Sequence, residues 1–211
     1  MANRLTKAAV ITGDVIGSSQ LSPAARKKLQ QQLQGFFTQA RKQWPGIKAE
    51  QYRGDSLQVV LTQHRDQALR IALLLQSHLA REKFHIRIAI GIGTISFTGK
   101  TVITSDGTAF QASGTWLDEL KKKGEVISIA GHPAAFTDEW QVHSAALNYL
   151  VQHWSVQQAE AIYLQLQNMT QATIARRLRI KQPSVYQRLQ LAGGAVVQKI
   201  LQRFESVVPA L

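Results

Sequence analysis

Apolar residues recur at every second position in some stretches of the chain and at every third or fourth in others, and the changes of period outline its elements. Residues 8–11 form a short apolar run that reads as a buried strand, ending in Thr12-Gly13-Asp14. Ser22-Pro23 fits a helix start, with serine as N-cap and proline in the first turn. Ala25, Leu29, Leu33, Phe36, Phe37 and Ala40 follow at helical spacing, so this helix runs to about residue 43, where Trp44-Pro45-Gly46 stops it. A hairpin is predicted next, with one strand over 47–52, a turn at Arg53-Gly54-Asp55-Ser56, and Leu57, Val59 and Leu61 on one face of the second strand. Ala68, Ile71, Ala72, Leu75 and Leu79 mark a helix over about 66–80. Ile86, Ile88, Ile90 and Ile92 then alternate with Arg87, Ala89, Gly91 and Gly93. That is a strand with an isoleucine face packed on helices and a glycine face open to close approach. A second hairpin edge is expected at 94–97 and 100–103, a helix at about 108–122, and a closing strand at 126–130.

The order β-α-β-β-α-β predicts a ferredoxin-like α+β domain over residues 1–135. Residues 136–211 read as a separate all-α domain, with helices at 141–153, 156–168, 171–178 and 183–191, the last continuing through Gly193-Gly194 to about 204.

Charge adds a partner to this outline. The net charge is +12, from 25 Lys and Arg against 13 Asp and Glu, which points to a polyanion. Between Ala161 and Phe204 there are seven basic residues and no acidic one. The 211 residues include no cysteine, which excludes disulfides and thiol chemistry. No apolar run is long enough for a membrane span, and the first residues lack a signal-peptide core, so a cytoplasmic protein is expected. The six histidines show no metal-ligand spacing, the four tryptophans fit core or interface positions, and Lys121-Lys122-Lys123 reads as a solvated helix end.

Residues 169–189 place the acid-free stretch on a definite motif. Thr170 can cap a short helix whose inward face is Ile174, Ala175 and Leu178, with Ala175 small enough for a second helix to cross close by. Arg179-Ile180-Lys181 makes a tight turn, and Gln182-Pro183-Ser184 opens a second helix anchored by Val185 and Leu189. That helix exposes Gln182, Ser184, Tyr186, Gln187 and Arg188, which suit base edges and phosphates in a major groove. Thr170, Arg176, Arg177, Arg179 and Lys181 stand beside it as phosphate contacts. The run T-Q-x-x-I-A-x-x-L-x-I-x-Q-P-S-V resembles the helix-turn-helix of bacterial regulators and sigma-factor-like domains, which implies double-stranded DNA as partner. The plain alternative is a helical hairpin with a solvated basic face.

A second constellation lies in the first domain. Asp14 ends the first strand and Asp55 sits in the hairpin turn, so the sheet can bring the two carboxylates to one edge. Neighbouring carboxylates repel unless a cation lies between them, and hard oxygen ligands suit Mg2+ or Mn2+ with a nucleotide. Gly17, Ser18 and Ser19 offer backbone N–H groups to a phosphate. Arg53 and Gly54 in the turn, and the bare face at Gly91 and Gly93, complete the expected nucleotide-binding set.

Asp14-Val15-Ile16-Gly17-Ser18-Ser19, Tyr52-Arg53-Gly54-Asp55-Ser56, Arg87-Ile88-Ala89-Ile90-Gly91-Ile92-Gly93 and Ser105-Asp106-Gly107 together resemble a class III nucleotide cyclase domain over about residues 7–130. In that family the two aspartates bind the catalytic metals. With the helical tail, the whole chain resembles the bacterial SatD family, a pairing that implies a regulator. The chain departs from the cyclase pattern in having Gln51 where a base-selecting Lys or Glu is expected. It also has no Arg or Asn along residues 108–117, where the family places transition-state groups. The resemblance therefore implies a DNA-binding transcriptional regulator whose cyclase-like domain binds a metal-nucleotide or mediates dimerisation. An active nucleotidyl cyclase or nucleotidyltransferase and a purely structural adaptor are the alternatives. A homodimer is expected from both resemblances.

Overall fold

Among the residues that the computed structural model describes, 5–52, 54–96 and 105–211, five strands form one sheet. They are β1 (Thr6–Val15), β2 (Lys48–Tyr52), β3 (Ser56–Leu61), β4 (Ile86–Ile95) and β5 (Ile127–Gly131), in the order β2-β3-β1-β4-β5. β1 lies centrally, antiparallel to both β3 and β4, and β5 is parallel to β4. The first four strands reproduce the ferredoxin-like order, and β5 extends it by one strand. The expected hairpin edge at 94–97 and 100–103 falls mostly outside the described residues, although β4 continues to Ile95.

Alternation along the strands decides what covers each face. Ala9, Ile11, Leu57, Val59, Leu61, Ile88, Ile90 and Ile92 point into the main core, beneath α1 (Pro23–Gln43) and α2 (Ala68–Arg81). Ser22 caps α1 through Ala25 N, as its sequence suggests. The other face carries Ala8, Val10 and Ala89, covered by Ala109, Phe110, Leu117 and Leu120 of α3 (Thr108–Lys123).

α3 closes the glycine face at Gly91, whereas Gly93 also borders a cavity at the end of the strand. A Cβ at Gly91 would stand 2.1 Å from Ala109 O, and one at Gly93 would stand 2.4 Å from Thr108 Oγ1. The close approach that these glycines allow is that of α3, which leaves no room for a base and ribose at Gly91.

The remaining helices are α4 (Ala134–Gln152), α5 (Val156–Leu166), α6 (Gln171–Leu178), α7 (Gln182–Leu191) and α8 (Gly194–Val207). α4 starts well before residue 141, directly after β5. α7 and α8 are two helices, because Gly193 adopts φ 70° and ends the first. The last strand ends at Gly131 and the chain is helical from Ala134 on, but the core does not part there. Trp140, Ile162, Ile174, Val185, Leu201 and Phe204 belong to the same buried cluster as the isoleucine face of β4.

The joint is polar as well as apolar. Asn148 Oδ1 accepts from Val126 N at 2.7 Å and Ile127 N at 2.8 Å, and its Nδ2 donates to Ile127 O at 2.8 Å. Ile129 N donates to Ser144 Oγ, and Gln141 Nε2 donates to Ile129 O. Thr137 both accepts from Gly131 N and donates to Gly131 O. Thr137, Gln141, Ser144 and Asn148 lie on one stripe of α4 and satisfy the free edge of β5 as a sixth strand would. From the other side, Arg70 of α2 binds Glu205 of α8 at 2.7 Å and donates to Leu166 O at 3.1 Å. The Arg81 guanidinium lies 4.0 Å over the Tyr163 ring of α5.

Candidate functional site

Two places collect the residues singled out by sequence. The first is the corner where β1 ends. Asp14 pairs with Ser56 on β3 and Arg87 on β4, and Val15 N donates to Asp55 O at 3.1 Å. The sheet thus brings Asp14 and Asp55 together as expected. Burial pushes the Asp14 carboxyl above its ordinary value against the opposing pull of Lys121; the Asp55 charge raises it further and Arg87 lowers it.

Both carboxylates already have partners. Asp14 Oδ2 lies 3.7 Å from Arg87 Nη1 and 3.8 Å from Lys121 Nζ. Lys121 stays exposed in the last turn of α3, as a solvated helix end does, and its Nζ also reaches Asp14. Ser18 Oγ donates to Asp55 Oδ2 at 2.5 Å, and Ser56 Oγ donates to Asp55 Oδ1 at 3.4 Å. The negative charge that a divalent ion would neutralise is matched at Asp14 by two side-chain cations. The donor set as arranged therefore suits a metal only if Lys121 withdraws.

Gly17 takes φ 70° and leads into a 3-10 turn at Ser18–Gln20, so the Gly17-Ser18-Ser19 run does not open α1 directly. Ser18, Ser19, Gly54 and Asp55 line a cavity of about 300 Å3, joined by Arg26 of α1, a cation that the sequence did not single out. Arg26 carries no local motif, and only the docking of α1 on the hairpin places it there. Arg53 lies outside the described residues. Gly91 and Gly93 lie under α3, away from this cavity.

The second place is the helical tail. Thr170 caps α6 by accepting from Thr173 N at 3.2 Å, so its hydroxyl serves the helix first. Ile174, Ala175, Val185 and Leu189 are buried between α5, α6 and α7, as the spacing predicts. Arg179 closes α6 in the left-handed region at φ 54°, with Ile180 N returning to Ala175 O. The turn to α7 then spans only Arg179 to Lys181, and Ile180 packs against the core.

Gln182, Ser184, Tyr186 and Gln187 are exposed along α7, with Tyr186 54% accessible. Arg176, Arg177, Arg179 and Lys181 are exposed beside them. None of the four ion-pairs with a carboxylate among the described residues. Arg188 differs from the expectation: it is half-buried and lies 3.5 Å from Glu160 of α5, so it helps hold α7 in place.

No protein-family model matches the chain, and no curated protein does. Among solved structures, it is similar to a bacterial light-regulated adenylyl cyclase at 14% identity, over 60% of this chain and 76% of that one, with a TM-score of 0.45. A second structure of a bacterial light-regulated adenylyl cyclase matches at 12% identity, over 62% of this chain and 44% of that one, also with a TM-score of 0.45. Among the described residues, no helix is long and apolar enough to cross a membrane.

Proposed function

We propose that the chain is a DNA-binding regulator that lays α7 in the major groove of duplex DNA. The observation that carries this reading is one exposed face. Gln182, Ser184, Tyr186 and Gln187 stand along α7, and Arg176, Arg177, Arg179 and Lys181 flank it with no internal carboxylate to neutralise them. Side chains of the first kind read base edges and those of the second grip phosphates. The sheet region holds the reading helix in a fixed orientation through α2 and α4. A metal-nucleotide at the Asp14 and Asp55 corner would in this reading be a signal, not a substrate. Two copies on a two-fold operator would present their α7 helices about 34 Å apart.

Fluorescence anisotropy of the full chain with labelled duplex, at a series of salt concentrations, tests the proposal. Four phosphate contacts predict a slope of log affinity against log salt of about −3 to −4. Arg177→Gln is expected to lower that slope by about one and to weaken all duplexes alike. Gln187→Ala is expected to leave the slope unchanged and to flatten sequence preference. Absence of binding, or binding indifferent to salt, would overturn the reading.

A further inference from the structure

At the end of β1 opposite Asp14 lies a cavity of about 520 Å3 with a different chemistry. Lys7 pairs with Thr94 whereas Asp14 pairs with Arg87, which separates the two places by roughly 23 Å along the strand. The cavity opens at the C-terminal ends of the parallel pair β4 and β5, where α3 makes the crossover between them. Ligands of parallel sheets collect at such ends.

We infer that this cavity binds an organic phosphate monoester. Among the described residues, Lys7, Arg65 and His132 line it and no acidic residue does. Neither Lys7 nor Arg65 ion-pairs with a carboxylate among the described residues. Asp66, the neighbour of Arg65, instead accepts from Gln67 Nε2 at 2.8 Å. The hydroxyls of Thr94 and Thr108 meet at the cavity wall, 3.2 Å apart. α3 begins at Thr108 and α4 begins just after His132-Pro133; neither first turn carries an acidic residue or a side-chain cap. Two cationic side chains, the hydroxyl proton left free by the Thr94–Thr108 bond and the uncapped start of α3 around one space match a dianion with three acceptor oxygens. Ile92, Ala112 and Leu211 add an apolar wall, which a bare inorganic ion would leave unused. The volume is that of a small-molecule pocket.

This proposal does not depend on the DNA-binding reading, and it is tested without DNA. The full chain is titrated by calorimetry with phenyl phosphate, with inorganic phosphate and phenol as the two halves of that ligand. Phenyl phosphate is expected to bind saturably, inorganic phosphate more weakly, and phenol not at all. Lys7→Gln and Arg65→Gln are each expected to weaken phenyl phosphate about 10-fold, the loss of one charge-assisted contact. Lys28→Gln, which removes an exposed cation of α1 outside the cavity, is expected to bind it unchanged. Lys7 is exposed at the strand end, so Lys7→Gln retains the fold, which its melting temperature checks. Absence of saturable binding, parent-like affinity in both Lys7→Gln and Arg65→Gln, or an equal loss in Lys28→Gln would each overturn the proposal.

Discussion

Replacing Asn148 by leucine removes three hydrogen bonds from the free edge of β5 while nearly keeping the side-chain volume. Val126 N, Ile127 N and Ile127 O lose their partner at once. Asn148 is only 6% exposed and Ile127 fully buried, so water does not replace the amide. Each buried polar group left unpaired costs about 1–3 kcal/mol, so Asn148→Leu, which strands three, is expected to cost about 3–9 kcal/mol. That is a large share of the roughly 5–15 kcal/mol by which a domain is stable. Asn148→Asp separates hydrogen bonding from packing. It keeps acceptors for the two N–H groups, and its protonated carboxyl donates to Ile127 O as the amide does, so at a pH that keeps it protonated its cost is expected to be clearly smaller. Equilibrium urea unfolding of the three proteins, followed by circular dichroism, measures both differences. A loss below about 1 kcal/mol for Asn148→Leu, or equal losses for the two variants, would refute the idea that Asn148 substitutes for a neighbouring strand.

Three further outcomes follow from the same structure. His78 is buried between the Phe36 and Tyr163 rings, and burial and then Arg81 push its pKa down from the ordinary 6.5 to about 4. The unfolded chain therefore takes up a proton that the folded one refuses. Stability is full above pH 6.5 and falls by up to about 3 kcal/mol as the pH drops toward 4; His78→Phe is expected to flatten this part of a stability-versus-pH profile. Gly91→Ala puts a methyl group into the α3 backbone and is expected to cost about 3 kcal/mol or more in urea unfolding, whereas Gly35→Ala, in open space on α1, is expected to gain about 0.5–1 kcal/mol. Lys121→Gln removes one of the cations on Asp14, and calorimetry with Mn2+ is expected to show binding tightened about 10-fold over the parent, the effect of freeing one charge; equal affinities would mean that Lys121 does not compete for Asp14.

The elements that sequence made legible are those whose signal is local. Ser22-Pro23 and Thr170 mark real helix starts, because a cap needs only the next three residues. The isoleucine face of β4 is buried as its alternation requires, and the short turn at Arg179 to Lys181 follows from apolar spacing on either side of it. What escaped was set by contacts distant in sequence. Lys121 looks solvated in a run of three lysines and meets Asp14 only because α3 crosses the sheet face on which Asp14 lies. Gly91 and Gly93 announce a close approach without saying by what, and the neighbour proved to be a helix of the same chain. Arg26 reaches the Asp55 cavity through the docking of α1, and its own neighbours in sequence carry no sign of it.

The deepest of these omissions concerns how the two regions join. Thr137, Gln141, Ser144 and Asn148 are polar, and a reading by apolar period assigns them to solvent. The structure turns this stripe inward, because the outer edge of β5 offers N–H and C=O groups at every second residue and must be paired or covered. A helix can meet that need only with side chains that both donate and accept, which is what Asn, Gln and Thr do here. The joint is consequently directional: each amide fits one register of α4 along β5, whereas an apolar contact would tolerate sliding. Arg70 and Arg81 fix the opposite side of the tail in the same directional way, by two N–H bonds to one Glu205 oxygen and by stacking on Tyr163. Anchored on both sides, α7 has its exposed face set by the sheet and not by a flexible linker.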